Sequence, residues 1–260
     1  MALTYASYLK IDELLSLQSP RSEPPEHDET LFIIIHQTYE LWFKQTLHEL
    51  DRLKLDLSAN RLYDALATLK RVRMILKTIV AQLDILETMT PMSFASFRER
   101  LDTASGFQSM QFRELEFVLG FKRADMLKYY PPGTHGYDAV LRRLHQRTLT
   151  DHLCDFLAQQ GARIPPEVRD RDVVQPAQPS PALQEELLKL YRTRPDVVLL
   201  LELLMDIDEG LQEWRYRHVK IVERTIGSKQ GTGGSLGVEF LKKSLFQPVF
   251  ADLWAIRVRL

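Results

Sequence analysis

Three long stretches of the chain have apolar residues three and four positions apart. The first two, Asp28–Ser58 and Leu62–Met89, contain neither glycine nor proline. The third begins near Pro195 and runs to Ile226, with a proline in the first turn, where a helix tolerates it. This spacing is typical of helices with one buried face, so the pattern predicts three long α-helices.

Shorter stretches with the same spacing predict further helices. These are Tyr5–Leu17, Ser93–Leu101, Phe107–Leu119, Tyr137–Gln160, Ala182–Tyr191 and Phe250–Arg259. Glycine and proline are concentrated between the helices, and no alternating run of apolar and polar residues indicates a strand. We therefore expect an all-α protein whose long helices pack antiparallel. It should form a single domain over residues 1–260, with residues 161–181 as a proline-rich inserted connection.

Composition narrows the class of protein. The chain has 260 residues, of which 45% are hydrophobic and 27% charged, with a formal net charge of −1. This composition excludes a disordered chain, and the balanced charge gives no electrostatic footprint for a nucleic acid or an anionic membrane. No apolar run reaches the roughly 20 residues that cross a bilayer, and the N-terminus lacks the layout of a signal peptide. One cysteine, Cys154, excludes an internal disulfide. We expect a cytoplasmic protein.

Two histidines lie in unusually apolar surroundings. His36 follows the run Leu31–Ile35 and shares a helical face with Phe32. An imidazole at that position needs a hydrogen-bond partner or a chemical role, so it is either a satisfied core histidine or a ligand or base. His218 lies deep in the third long helix beside Trp214. A neutral imidazole in such surroundings suits the proximal ligand of a haem iron, although the same aromatic stripe also fits an ordinary core.

Two further features have both a structural and a functional interpretation. Arg98 lies one helical turn after Phe94, where a buried guanidinium could bind a carboxylate with two hydrogen bonds, or simply face solvent. The turn Gly231–Gly234 follows the end of the third long helix. It is either a helix stop with a loop or a lid whose backbone N–H groups and Thr232 hydroxyl close over a polar ligand.

Five segments, taken together and in order, resemble the tryptophan 2,3-dioxygenase family of haem enzymes. They are Leu3–Leu9 (LTYASYL), Phe32–Lys44 (FIIIHQTYELWFK), Ala104–Arg113 (ASGFQSMQFR), Trp214–His218 (WRYRH) and Gly231–Gly234 (GTGG). The resemblance covers essentially the whole chain. It implies an enzyme that inserts both atoms of O2 across the indole C2–C3 bond of L-tryptophan to give N-formyl-L-kynurenine, the first step of the kynurenine route.

The resemblance also implies a homotetramer with haem b in each subunit. His218 would be the proximal iron ligand, and Ser105 and Gly106 would lie near the haem. His36, as the catalytic residue, would face the indole N–H. The implied substrate-binding residues are Phe32, Ile33, Ile34, Ile35, His36, Phe94, Arg98 and Thr232, together with Tyr5, Tyr8 and Leu9 from a neighbouring subunit.

One departure from the family pattern concerns the carboxylate site. Phe94 stands where some relatives have a tyrosine whose hydroxyl helps to hold the substrate carboxylate. Arg98 would therefore do more of that work here. Two other functions stay open on the sequence alone, namely a haem-binding sensor of the same fold without turnover and a helical scaffold without a cofactor.

Overall fold

The computed structural model describes residues 2–229, 231 and 237–260. The described part of the chain is helical and contains no strand. Its α-helices are α1 (Tyr5–Leu9), α2 (Ile11–Leu15), α3 (His27–Ser58), α4 (Leu62–Leu86), α5 (Pro91–Arg98), α6 (Met110–Val118), α7 (His135–His145), α8 (Leu149–Gln159), α9 (Pro166–Arg169), α10 (Pro181–Thr193), α11 (Pro195–Ile226), α12 (Val238–Lys242) and α13 (Ala251–Ala255). Short 3-10 helices lie at Glu99–Leu101, Gly106–Gln108, Ala124–Tyr129 and Ile256–Arg259.

The prediction of an all-α protein with three long helices is confirmed. The third long helix has the predicted bounds, the first begins one residue earlier, and α4 ends at Leu86 instead of Met89. The predicted stretch Tyr137–Gln160 was wrong as a single helix. A new helix begins after Thr148, because the Thr148 side chain and the Asp151 side chain each bond the other's backbone N–H and so form a capping box.

Two other predicted helices are interrupted by local backbone geometry. The stretch Tyr5–Leu17 breaks at Lys10, whose φ of +52° ends α1 before α2 begins. The stretch Phe107–Leu119 opens as a 3-10 helix, and Ser109 then caps the start of α6 by accepting a hydrogen bond from the N–H of Phe112. Both interruptions depend on single turns, which apolar spacing does not reveal.

The main core forms where α4 packs against both α3 and α11. Leu50 and Leu53 of α3, Leu69 of α4 and Leu200 and Leu201 of α11 are each at most 1% exposed. Burying one such leucine side chain contributes roughly 1.5–3 kcal/mol to the stability of the fold. The three long helices thereby form a close-packed frame that fixes the positions of side chains at their ends.

The predicted connection over residues 161–181 packs against the rest of the chain. Val168, in α9, belongs to the main core. The guanidinium of Arg171 binds the carboxylate of Asp151 in α8 with two hydrogen bonds of 2.9 and 2.7 Å. Within the described ranges, no helix combines the length and the apolar content that crossing a membrane requires.

Candidate active site

A cavity of about 300 Å³ lies between α3, α5 and α11, with α6 and α12 also contributing to its wall. Its volume is at the small end of the range that is usual for small-molecule sites. The described residues that line it include seven of those singled out from the sequence: Phe32, His36, Phe94, Arg98, Ser105, Gly106 and His218. Four different parts of the chain therefore meet at one site.

The α3 side of the cavity presents an imidazole in a fixed orientation. Phe32 and His36 are one turn apart, and their ring centroids lie 4.1 Å from each other. His36 Nδ1 lies 2.7 Å from the backbone oxygen of Phe32. Because a carbonyl can only accept, Nδ1 is the atom that carries the hydrogen, and Nε2 keeps its lone pair. Burial lowers the pKa of His36, so the ring stays neutral and offers an acceptor.

The α5 side combines an aromatic surface with a cation. Thr90 caps this helix, with Pro91 at its first position, so the short helix begins at a defined residue. The ring centroid of Phe94 is 5.7 Å from that of Phe32 and 5.4 Å from that of the fully buried Phe97. Arg98 follows Phe94 by one turn and also lines the cavity. An aromatic ligand with an anionic end matches this combination.

The α11 side presents a second neutral imidazole. His218 stacks on Trp214, with ring centroids 5.1 Å apart and planes only 4° from parallel. Burial, together with the smaller effect of the nearby His36, lowers the pKa of His218 to about 4. Among the described residues the ring of His218 has no hydrogen-bond partner. A neutral imidazole held by stacking in this way is a suitable metal ligand.

Comparison with known proteins gives the family. The sequence model of the family described as tryptophan 2,3-dioxygenase matches residues 1–141 and 180–260. The chain is 56% identical to the tryptophan 2,3-dioxygenase of Herpetosiphon aurantiacus over 259 residues, which are 100% of this chain and 99% of that protein. The chain belongs to the tryptophan 2,3-dioxygenase family. It is also 54% identical to the Anaeromyxobacter sp. (strain K) protein and 41% identical to the Bacillus thuringiensis subsp. konkukian protein, over 98% and 99% of this chain and 96% and 93% of those proteins.

Three of the residues expected at a tryptophan 2,3-dioxygenase site do not line the cavity, and a fourth lies outside the described residues. Ile33, Ile34 and Ile35 are not among the described residues that line the cavity. Successive helical residues point about 100° apart. Phe32 and His36, four positions apart, therefore share one face of α3, and the three isoleucines between them point in other directions. Ile35 is buried in the main core, and Ile34 is exposed. Thr232 lies outside the described residues, whereas the neighbouring Gly231 lines the cavity.

The N-terminal residues predicted to complete a neighbouring subunit's site do not line the cavity of their own chain. Tyr5 and Tyr8 of α1 are 77% and 70% exposed, and Leu9 is exposed as well. No described residue of this helix is buried. Three exposed apolar side chains on one short helix are therefore available to a second copy of the chain.

Sequence reasoning missed a charged part of the cavity wall. Arg113, Glu116, Arg123 and Arg215 all line the cavity. Two of them could have been noticed, because Arg113 ends one family segment and Arg215 precedes His218 by one helical turn in another. Glu116 and Arg123 carry no comparable signal, since only the folded chain brings the end of α6 and the loop after it to the cavity.

Proposed function

We propose that this protein is a haem-dependent dioxygenase that inserts both atoms of O2 across the indole C2–C3 bond of L-tryptophan. The product is N-formyl-L-kynurenine. The observation that carries the proposal is that one cavity of a tryptophan 2,3-dioxygenase family member holds His218, His36 and Arg98 together. These side chains supply a metal ligand, a hydrogen-bond acceptor and an anion-binding cation.

The residues present fit a haem. A haem iron requires a protein ligand, which the neutral ring of His218 can provide, and the macrocycle requires a largely apolar wall. Apolar residues of α4 and α11 supply such a wall, namely Leu83, Leu86, Val219 and Val222. When bound, ferrous haem supplies the chemistry of O2 binding and activation. His218 is the residue that would hold the iron, and no cluster of other side chains is needed for that role.

L-Tryptophan matches the side chains that α3 and α5 contribute to the cavity. Its indole ring suits the aromatic surface of Phe32 and Phe94. Its carboxylate suits the guanidinium of Arg98, which can make two charge-assisted hydrogen bonds. Phe94 has no hydroxyl for the carboxylate, so Arg98 bears more of the recognition of that group.

His36 has the geometry of a positioning acceptor. Its Nδ1–H is directed to the carbonyl of Phe32, so Nε2 is available to accept a hydrogen bond from the indole N–H. Full transfer of that proton is unfavourable, because the indole N–H is a very weak acid and burial lowers the pKa of His36. His36 therefore orients the substrate by a hydrogen bond and leaves the N–H proton in place.

Replacing His36 with alanine is expected to lower kcat/KM for L-tryptophan roughly tenfold without abolishing turnover, since one hydrogen bond is lost. Steady-state assays of N-formylkynurenine formation measure this. 1-Methyl-L-tryptophan, which lacks the N–H, is the matched substrate control, and the variant should discriminate against it less than the unaltered protein does. Complete loss of turnover with unchanged haem content would show that His36 does more than position the substrate.

We also propose a homotetramer in which the long helices pack antiparallel within each subunit. The short connection 59–61 between α3 and α4 supports the antiparallel arrangement. The exposed Tyr5, Tyr8 and Leu9 support a role for α1 at a neighbouring subunit's site. The subunit contact would then be part of the active site.

One experiment tests the proposed activity directly. The ferrous protein should show a haem absorption spectrum, and addition of L-tryptophan and air should yield N-formyl-L-kynurenine. A haem spectrum without product would instead identify a sensor. A protein that stays colourless after reconstitution with haem would be a scaffold.

A further inference from the structure

Three arginines surround one glutamate on the cavity wall. We call Arg113, Arg123, Arg215 and Glu116 the guanidinium cluster. Arg113 donates to Glu116 Oε2, and Arg123 donates to both carboxylate oxygens, at 3.0 and 2.8 Å. Arg215 is further away, with 3.9 Å between Nη2 and Glu116 Oε1. The carboxylate of Glu116 therefore accepts hydrogen bonds from two of the three arginines and pairs only weakly with the third.

The three guanidinium groups have hydrogen-bonding capacity left over. The Nε atoms of Arg113, Arg123 and Arg215 are all buried and have no hydrogen-bond partner among the described residues. Arg113 and Arg215 are each only 3% exposed. Buried donors without partners are costly and uncommon, and an absent ion or ligand is one usual explanation for them.

The hydrogen bonds of Arg215 use only part of the donor capacity of its guanidinium group. Its Nη1 donates to the backbone oxygens of Ser244 and Gln247, at 3.3 and 3.0 Å, and its charge lies 4.2 Å from the ring centroid of Phe121. Asp208 is the other carboxylate that acts on Arg215 electrostatically. Its oxygens already accept hydrogen bonds from Phe250, Trp254 and Gln212.

The charges within the guanidinium cluster do not balance. Its three arginines and one glutamate leave an excess of two positive charges on this part of the cavity wall. A zwitterionic amino acid brings no net charge and cannot compensate the excess. A haem b carries two carboxylates, which can.

We propose that the guanidinium cluster binds the carboxylate groups of the haem. This inference rests on the proposed function, because it presupposes that the cavity holds a haem. Forked guanidinium donors suit carboxylates, and the buried Nε atoms would gain the partners that they lack. The cluster therefore orients the macrocycle within the cavity, while His218 holds its iron.

The test compares two forms of the cofactor on the full-length apoprotein. Ferric haem and haem dimethyl ester, whose carboxylates are capped, are each titrated by absorption to obtain Kd. The unaltered protein should bind haem roughly tenfold to a hundredfold more tightly than the ester. Equal affinities would overturn the inference. Failure to bind either compound would overturn the proposed function as well, so the two outcomes are distinguishable.

Variants then locate the effect. Arg123→Met is the variant of choice, because its side chain is 36% exposed and its loss disturbs the core least. It should weaken haem binding roughly tenfold and leave the ester nearly unchanged. Arg142→Met is the matched control, since Arg142 pairs with Glu114 outside the lining and should leave both affinities unchanged.

Two results with the variant would contradict the inference. If Arg123→Met weakened haem and ester equally, the arginine would be supporting the fold alone. If it raised the Kd of L-tryptophan and left the ratio between haem and ester intact, the carboxylate in question would be the substrate's. The comparison of haem with its ester on the unaltered protein stands even if the variant does not fold.

Discussion

Replacing His218 with alanine is expected to remove stable haem binding. The neutral ring of His218 is the described imidazole on the α11 side of the cavity, and its pKa of about 4 keeps it available for a metal at every physiological pH. Without it the iron loses its protein ligand. Haem content after purification should fall roughly tenfold or more, as measured by the ratio of haem to protein absorption.

Two further variants serve as controls for this result. His48→Ala removes an exposed histidine of α3 and should leave haem content unchanged. His218→Gly leaves a space that free imidazole can fill, so added imidazole should restore the ferrous haem spectrum. A His218→Ala protein with normal haem content and an unaltered ferrous spectrum would refute the assignment of His218 as the residue that holds the iron.

The fold was predictable where apolar spacing persists over many turns. Such spacing defined α3, α4 and α11, because a long buried stripe leaves little choice of secondary structure. The breaks at Lys10 and Thr148 were not predictable in the same way. Each depends on one left-handed residue or one capping box, whose effect is decided by a few hydrogen bonds that compete closely with helix continuation.

The site was predictable in part, where single residues stand out from their neighbours in the sequence. His36 and His218 were conspicuous as imidazoles among apolar neighbours, and the structure places both at one cavity. The isoleucines between Phe32 and His36 were assigned together with them, although a helix turns them away from the cavity. Arg113 and Arg215 of the guanidinium cluster lie within recognisable segments and were overlooked, whereas Glu116 and Arg123 lie outside them and reach the cavity only in the folded chain.

Replacing Arg98 with methionine is expected to weaken substrate binding, which is the second-largest effect that we predict. Methionine keeps much of the apolar stem and removes the guanidinium that would pair with the substrate carboxylate. A charge-assisted pair in a half-buried site is worth about 2–3 kcal/mol, so kcat/KM for L-tryptophan should fall roughly a hundredfold, mainly through KM. Haem content should stay unchanged.

Tryptamine, which lacks the carboxylate, separates recognition of that group from general damage to the site. The unaltered protein should discriminate strongly against tryptamine, because tryptamine brings an ammonium group to the site without the carboxylate that would pair with Arg98. Arg98→Met should lose most of this discrimination. Arg100→Met, which changes an exposed arginine two residues later that does not line the cavity, should retain it. An unchanged KM for L-tryptophan in Arg98→Met would show that another group binds the substrate carboxylate. That group, and not Arg98, would then replace the hydroxyl that Phe94 lacks.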